Sequence, residues 1–430
     1  MPRQNTNLGF YLPSFFRLHL STDNPISDLN KLIEKDLSIF FHEYIHFIQD
    51  ISTYYGLNNI HATVEYFKYA NMVVRGTEGY FKIPIEPDAN AENNVGLNKY
   101  INNITYGDTV YKNIKKVLRY NTLNMNFPPN SILSEGIDVF DIEYLSNENV
   151  ICEFQFGACC IMESMANILE RFNSKNFVPS PDIPYNSAEK LANFIYPDFA
   201  NNILNILALC DMSLNLSNPS KYFIRTLEKW KAKSEIPSNP KILYDEFYNG
   251  RFKQNEKKET NFIENLEAHA ELAISQLKSY FNDPYFDSIK SWISFIIKGA
   301  LDLRKNNRYF IIDLATGTLK ENYLLFGLIN KLGTPLITNN RNDYRYVKPT
   351  EYKHEVDIAY FWAISQIHKL FSYSEIKCDL FSFCNHELSN VETDDRCDKS
   401  PWRRGMDEKG LCPYGLFWRH WGLNGHAPQT

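Results

Sequence analysis

The sequence has little of several things that define whole classes of protein. Apolar stretches such as SWISFIIKGALDL (291–303) are broken by Lys298 and stay short of the roughly 20 residues a membrane span needs. The opening MPRQNTNLGFYLPSFFRLHL has no continuous apolar run of the kind an export signal carries. Cysteine is sparse, at eight in 430 residues, which is too few for a disulfide scaffold. An excess of positive charge is also missing: the net charge is −6, so neither nucleic acid nor an anionic membrane surface receives general electrostatic support. There is no Gly-rich phosphate loop, dinucleotide fingerprint or Gly-x-Ser-x-Gly elbow, and no internal repeat or low-complexity tract. The expectation is a reduced, cytoplasmic chain with no membrane and no nucleic-acid partner.

What is present is material for a large core. Apolar residues make up 44% of the chain, and 27 Tyr, 30 Phe and 6 Trp rule out disorder as the main state. The pattern reads as α+β and predominantly helical. Leu8–Leu20 gives one or two short strands, forming a small N-terminal sheet. A helix capped at Ser27 or Asp28, with a break near Asp36, runs to Tyr55. Gly56–Asn59 reads as a turn before a second helix over 60–74. Residues 76–135 read as irregular or weakly β, and 149–172 as helix. The Pro-rich stretch 173–187 is the best linker, and the charge run 253–260 (KQNEKKET) a solvated loop or helix end. Beyond the linker, 309–317 and 334–339 read as strands around a helix at 320–332, a small βαβ element, and 354–372 as helix. Three units follow: a core at 1–175, a mostly helical region at 188–372 with that small α/β element, and a Cys-rich tail at 373–430.

The chemistry concentrates at FHEYIHFIQD (41–50). Residues four apart lie on one helix face, so His42 and His46 can reach one metal ion. Glu43, beside the first ligand, can take a proton from metal-bound water without joining the coordination sphere. A chance His-Glu-x-x-His is expected roughly once in seventy chains of this composition, so context decides, and here the motif lies inside an amphipathic helix. The plain alternative is a helix with two satisfied histidines.

Two histidines are half a site. Positions three and six after His46 are Gln49 and Ser52, so a third nearby ligand is missing and a carboxylate from another helix is required. Glu163 is the only charged residue in FQFGACCIMESMANIL (154–169), where an unpaired carboxylate would be costly to bury. Small residues there (Gly157, Ala158, Ser164, Ala166) permit close helix approach. Glu65, on the return helix, is the second candidate.

These residues resemble the zincin metallopeptidases, of the gluzincin type with two His and one Glu on zinc. The Glu65 spacing is similar to that of certain gluzincin aminopeptidases, although their Gly-rich motif for the substrate amine is missing. The Glu163 segment resembles the Glu-bearing second helix of other zincins. The resemblance covers at most 130 residues. It implies a zincin-like core and a catalytic Zn2+ on His42, His46 and one glutamate. Glu43 would be general base and later proton donor, and a sheet edge would pair with a protein or peptide substrate. Tyr185, Tyr196, His269 and His420 are candidates for steadying the oxyanion. The residues beyond such a core would gate the cleft or answer to a regulatory partner. By analogy that suits a selective cytoplasmic protease, such as a phage-defence or conflict effector. The competing readings are a non-catalytic interaction module with a degenerate helix, and a zinc amidohydrolase on a non-peptide substrate.

In the tail, Cys378, Cys384, Cys397 and Cys412 are spaced more loosely than usual zinc-ligand pairs. A second, structural zinc, free thiols and disulfides all stay open. PYGLFWRHWGL (413–423) reads as packing or as cleft lining. Cys159 and Cys160 sit in an apolar helix, where a nucleophilic thiolate would be destabilised, so they read as core.

Overall fold

A computed structural model describes residues 8–429, except 88–93, 128–135, 176, 178, 256–257, 316, 389–390 and 409–410, with backbone alone at 252–255, 258–259 and Glu387. Among these residues the chain is α+β and mostly helical, with a small N-terminal sheet.

The opening aromatic run forms a hairpin of β1 (Gly9–Leu12) and β2 (Arg17–Leu20), in register Gly9↔Leu20. Asp28 caps only a single turn over Leu29–Lys31, accepting from the Asn30 N–H. The motif helix α1 then runs Glu34–Ser52 and α2 runs Tyr54–Arg75. The expected turn at Gly56–Asn59 is therefore part of α2. The chain reverses at Thr53, whose hydroxyl accepts from the Gly56 N–H at 3.0 Å. Glycine is needed at 56 for proximity: a Cβ there would lie 2.4 Å from the Gln49 and Asp50 carbonyl oxygens.

After β3 (Tyr80–Lys82) and α3 (Asn94–Tyr106), a three-stranded antiparallel sheet forms from β4 (Ile114–Met125), β5 (Ile137–Ser146) and β6 (Ile151–Phe156). The stretch 149–172 is thus not one helix. ICEFQF turns Phe154 and Phe156 inward with period two, and α4 (Ala158–Asn173) begins only after Gly157. A Cβ on Gly157 would meet Gly107 N and Tyr106 O at 2.5 Å, so this glycine serves the contact with the end of α3, not with α1. The expected linker carries a further turn of helix, α5 (Asp182–Tyr185).

Of the charge run 253–260, the described residues lie in the antiparallel pair β7 (Arg251–Asn255) and β8 (Lys258–Asn261), and 256–257 lie outside the described residues. The expected strand at 309–317 is helical over Phe310–Asp313. A short apolar run with three buried residues cannot distinguish a strand from a buried helical turn. Consequently β9 (Leu336–Asn339) finds its parallel partner in β2, in register Arg17↔Leu336. With β10 (Tyr344–Arg345) the sheet order is β1-β2-β9-β10. The helix expected at 354–372 is Ala359–Tyr373. The tail contains helices Phe381–Glu387 and Pro413–His420, and ends in β11 (Ala427–Gln429), parallel to β3.

One buried cluster runs from Tyr11 to Leu423, with α1 inside it. This helix is buried on nearly every side, polar residues included, so its end must be satisfied by protein. The buried Arg304 does this: its Nε donates to the Ser52 carbonyl and its Nη2 to Ser52 Oγ at 3.1 Å. Asp211 balances the charge at 2.8 Å and also accepts from the Tyr244 hydroxyl at 2.9 Å. The motif helix is thereby fixed along its axis. No described helix is long and apolar enough to cross a membrane.

Candidate metal centre

Buried polar groups need partners, and α1 buries many. Asp36 accepts from Thr22 Oγ1 (2.9 Å) and Asn24 Nδ2 (2.7 Å). Asp50 accepts from the Tyr11 hydroxyl and the Ser14 N–H, both at 2.8 Å. Ser52 is held by Arg304. Each of these is a structural tie. One group is left: His42, Glu43 and His46, on the face turned to α4.

Glu163 of α4 meets both histidines through one oxygen. Its Oε2 lies 3.1 Å from His42 Nε2 and 3.4 Å from His46 Nε2. The three donor atoms lie within 4.8 Å of one another. The other ring nitrogens are engaged. His42 Nδ1 faces Glu170 Oε2 at 3.1 Å, and Glu170 Oε1 accepts from Ser38 Oγ at 2.7 Å. His46 Nδ1 faces Gln49 Oε1 at 2.8 Å, while Gln49 Nε2 donates to the Met162 carbonyl at 3.1 Å. Gln49 therefore presents its acceptor to His46. With Nδ1 donating to these acceptors, either ring in its neutral form turns its Nε2 lone pair to the Glu163 oxygen.

Two lone pairs facing a carboxylate repel one another unless a cation lies among them. Without a metal that cation is a proton. Burial works against charge on all three, but their mutual attraction outweighs it. His42 is raised by its bonds to Glu163 and Glu170, His46 is raised chiefly by Glu163, and Glu163 is held well below the usual carboxylate range. The same arrangement can hold a divalent metal ion, with its two outer acceptors already placed. His42, His46 and Glu163 are brought together; Glu65 is not. It lies on α2 and pairs with Lys68 at 3.3 Å.

Glu43 neighbours this group without a hydrogen bond to it. It is buried, has no hydrogen-bond partner among the described residues, and burial raises its pKa against the pull of His42 and His46. A Cβ on Gly9 would sit 3.2 Å from Glu43 Cγ, so β1 runs directly over this carboxylate. Among the described residues β1 pairs with β2 alone.

Of the four oxyanion candidates only Tyr185 is here. Its ring lies 5.8 Å from that of His42, and after burial the charge of Glu163 is the largest influence raising its pKa. Ser164 fixes its segment, donating to the Pro184 carbonyl (3.2 Å) and accepting from the Ala188 N–H (3.1 Å). Tyr196 donates to the Glu235 carbonyl, His269 bonds Asn265 O, and His420 packs on Phe286 and Phe417. Cys159 and Cys160 are buried core thiols whose pKa values burial raises. Sequence reasoning passed over Glu170 and Gln49. The signal was spacing: Glu170 is two turns after Glu163, and Gln49 one turn after His46, each pair on one helix face.

No protein-family model matches this chain, and no curated protein and no solved structure matches it.

Proposed function

We propose that the chain is a zinc-dependent hydrolase of peptide bonds with a zincin-like core. Two imidazoles and one carboxylate with preset lone pairs, and no fourth protein ligand in the described group, suit zinc at an open site. When bound there, zinc supplies a Lewis acid and lowers the pKa of a coordinated water to about 7. The remaining work falls to this chain's residues. Glu43 takes a proton, which its burial favours, and returns it to the leaving amine. As the terminal strand of its sheet, β1 would lay an extended peptide near Glu43 through main-chain hydrogen bonds. Tyr185 offers a phenol O–H to the developing oxyanion. Glu170 and Gln49 hold the imidazole tautomers.

The observation that carries this reading is Glu43: a buried carboxylate without a structural partner, beside three donors that require a cation. The test is hydrolysis of an unfolded protein and of a mixed peptide library, read by mass spectrometry, with zinc-loaded wild type and Glu43→Gln. New peptides made by wild type and not by Glu43→Gln support the proposal. Equal cleavage by both, or cleavage by neither, overturns it.

A further inference from the structure

A second group of metal-ligating side chains lies in the tail, apart from the first. Cys378, Cys384, Cys397 and Cys412, spread over 35 positions, line one small cavity of about 10 Å³. That is the room of a single water or ion. All four thiols are buried and none is in a disulfide. Interiors pack to crystal density, so such a gap is uncommon. Here it persists, with four sulfurs around it.

Burial raises the pKa of the Cys378, Cys384 and Cys397 thiols in the metal-free chain, while the surroundings of Cys412 suit anionic sulfur. The Gly415 N–H donates to Cys412 Sγ at 3.3 Å, at the start of the helix Pro413–His420. The buried Arg404 guanidinium lies beside the same sulfur, fixed by Asp394 at 2.9 Å and Asp407 at 3.2 Å. The Cys378 N–H bonds the Cys397 carbonyl at 2.8 Å, joining the two halves of the cavity. Regular structure near the cavity is short: the helices Phe381–Glu387 and Arg396–Lys399 span seven and four residues. Segments this small commonly need a metal or disulfide to hold them.

We infer that Cys378, Cys384, Cys397 and Cys412 bind one structural zinc ion through four thiolates. Tetrahedral sulfur ligation selects zinc or iron–sulfur, and a cavity of this size has no room for a cluster. Among the described residues only His42, His46 and Glu163 have three or more donor atoms all within 4.8 Å of one another. Binding the ion therefore requires the four thiols to draw closer than they stand in this structure.

The experiment uses the full chain, stripped and reloaded with cobalt(II), in wild type, His46→Ala and Cys378→Ser/Cys412→Ser. Intense thiolate-to-cobalt charge-transfer absorption is expected in wild type and His46→Ala, and is expected to vanish in the cysteine pair. A second measurement on wild type alone avoids any failure of that variant to fold. Alkylation mapped by mass spectrometry should show zinc protecting these four thiols, with chelation exposing them. Absent thiolate absorption, equal alkylation with and without zinc, or recovery of the four as disulfides would each overturn the inference.

Discussion

Around His42 and His46 the scaffold is two long buried helices, and each imidazole is held by a further polar group before any ion is considered. Around the tail cysteines the scaffold is short helices and loops, and the donors surround a gap. The first site has three protein donors, and its neighbours Glu43 and Tyr185 make no structural tie to it. The second is lined by four cysteines, with no carboxylate or imidazole among its lining residues. An open three-donor site beside an unpartnered carboxylate suits chemistry, while a closed four-sulfur site suits holding a fold together. The difference lies in what surrounds the ligands more than in the ligands themselves.

Changes that separate placing an ion from using it sharpen this contrast. Glu43→Gln should cost the most, on the order of 10²–10⁴-fold in kcat/KM, with metal content unchanged; a matching loss of metal would make Glu43 a ligand. Tyr185→Phe should lower kcat by about 10²-fold with KM little moved, checked by steady-state kinetics on any peptide the wild type cuts. Glu170→Gln should weaken metal binding by about 10–100-fold, measured by competition with a chelator, and leave the alkylation pattern of the tail cysteines as in wild type.

The smallest effect on either site comes from Asp50. Burial raises its pKa to about 7, while Ser14 and Tyr11 pull the other way. A carboxyl whose folded pKa exceeds its unfolded value adds stability at low pH and loses it as pH rises through the folded value. The wild type should therefore lose stability relative to Asp50→Asn between about pH 4 and 7. Thermal melts of both proteins across that range check this, and a gap independent of pH would refute it.

The motif helix, its fold class and Glu163 were legible because each rests on local pattern: helical spacing, and one charge in an apolar run. What stayed hidden depends on distant packing. Gly56 looks like a turn until the carbonyls of Gln49 and Asp50 are seen against it. Residues 309–317 look like a strand because apolar runs lack a period, and the true partner of β9 is β2, more than 300 positions away. Glu170 and Gln49 were readable in principle, since an imidazole at a metal needs an acceptor on its far nitrogen and both residues keep helical register with a ligand. Tyr185 lay in the apparent linker, and the bonds of Ser164 to its neighbours Pro184 and Ala188 help bring it to the histidines.

The most direct test is metal content by elemental analysis of zinc-reconstituted full-length wild type, Glu163→Ala and Glu65→Ala. The Glu163→Ala chain should hold about one ion fewer than wild type, since loss of one of three donors dismantles an open site, while Glu65→Ala should match wild type. Metal content that ignores Glu163→Ala would contradict the His42–His46–Glu163 centre and the hydrolase built on it.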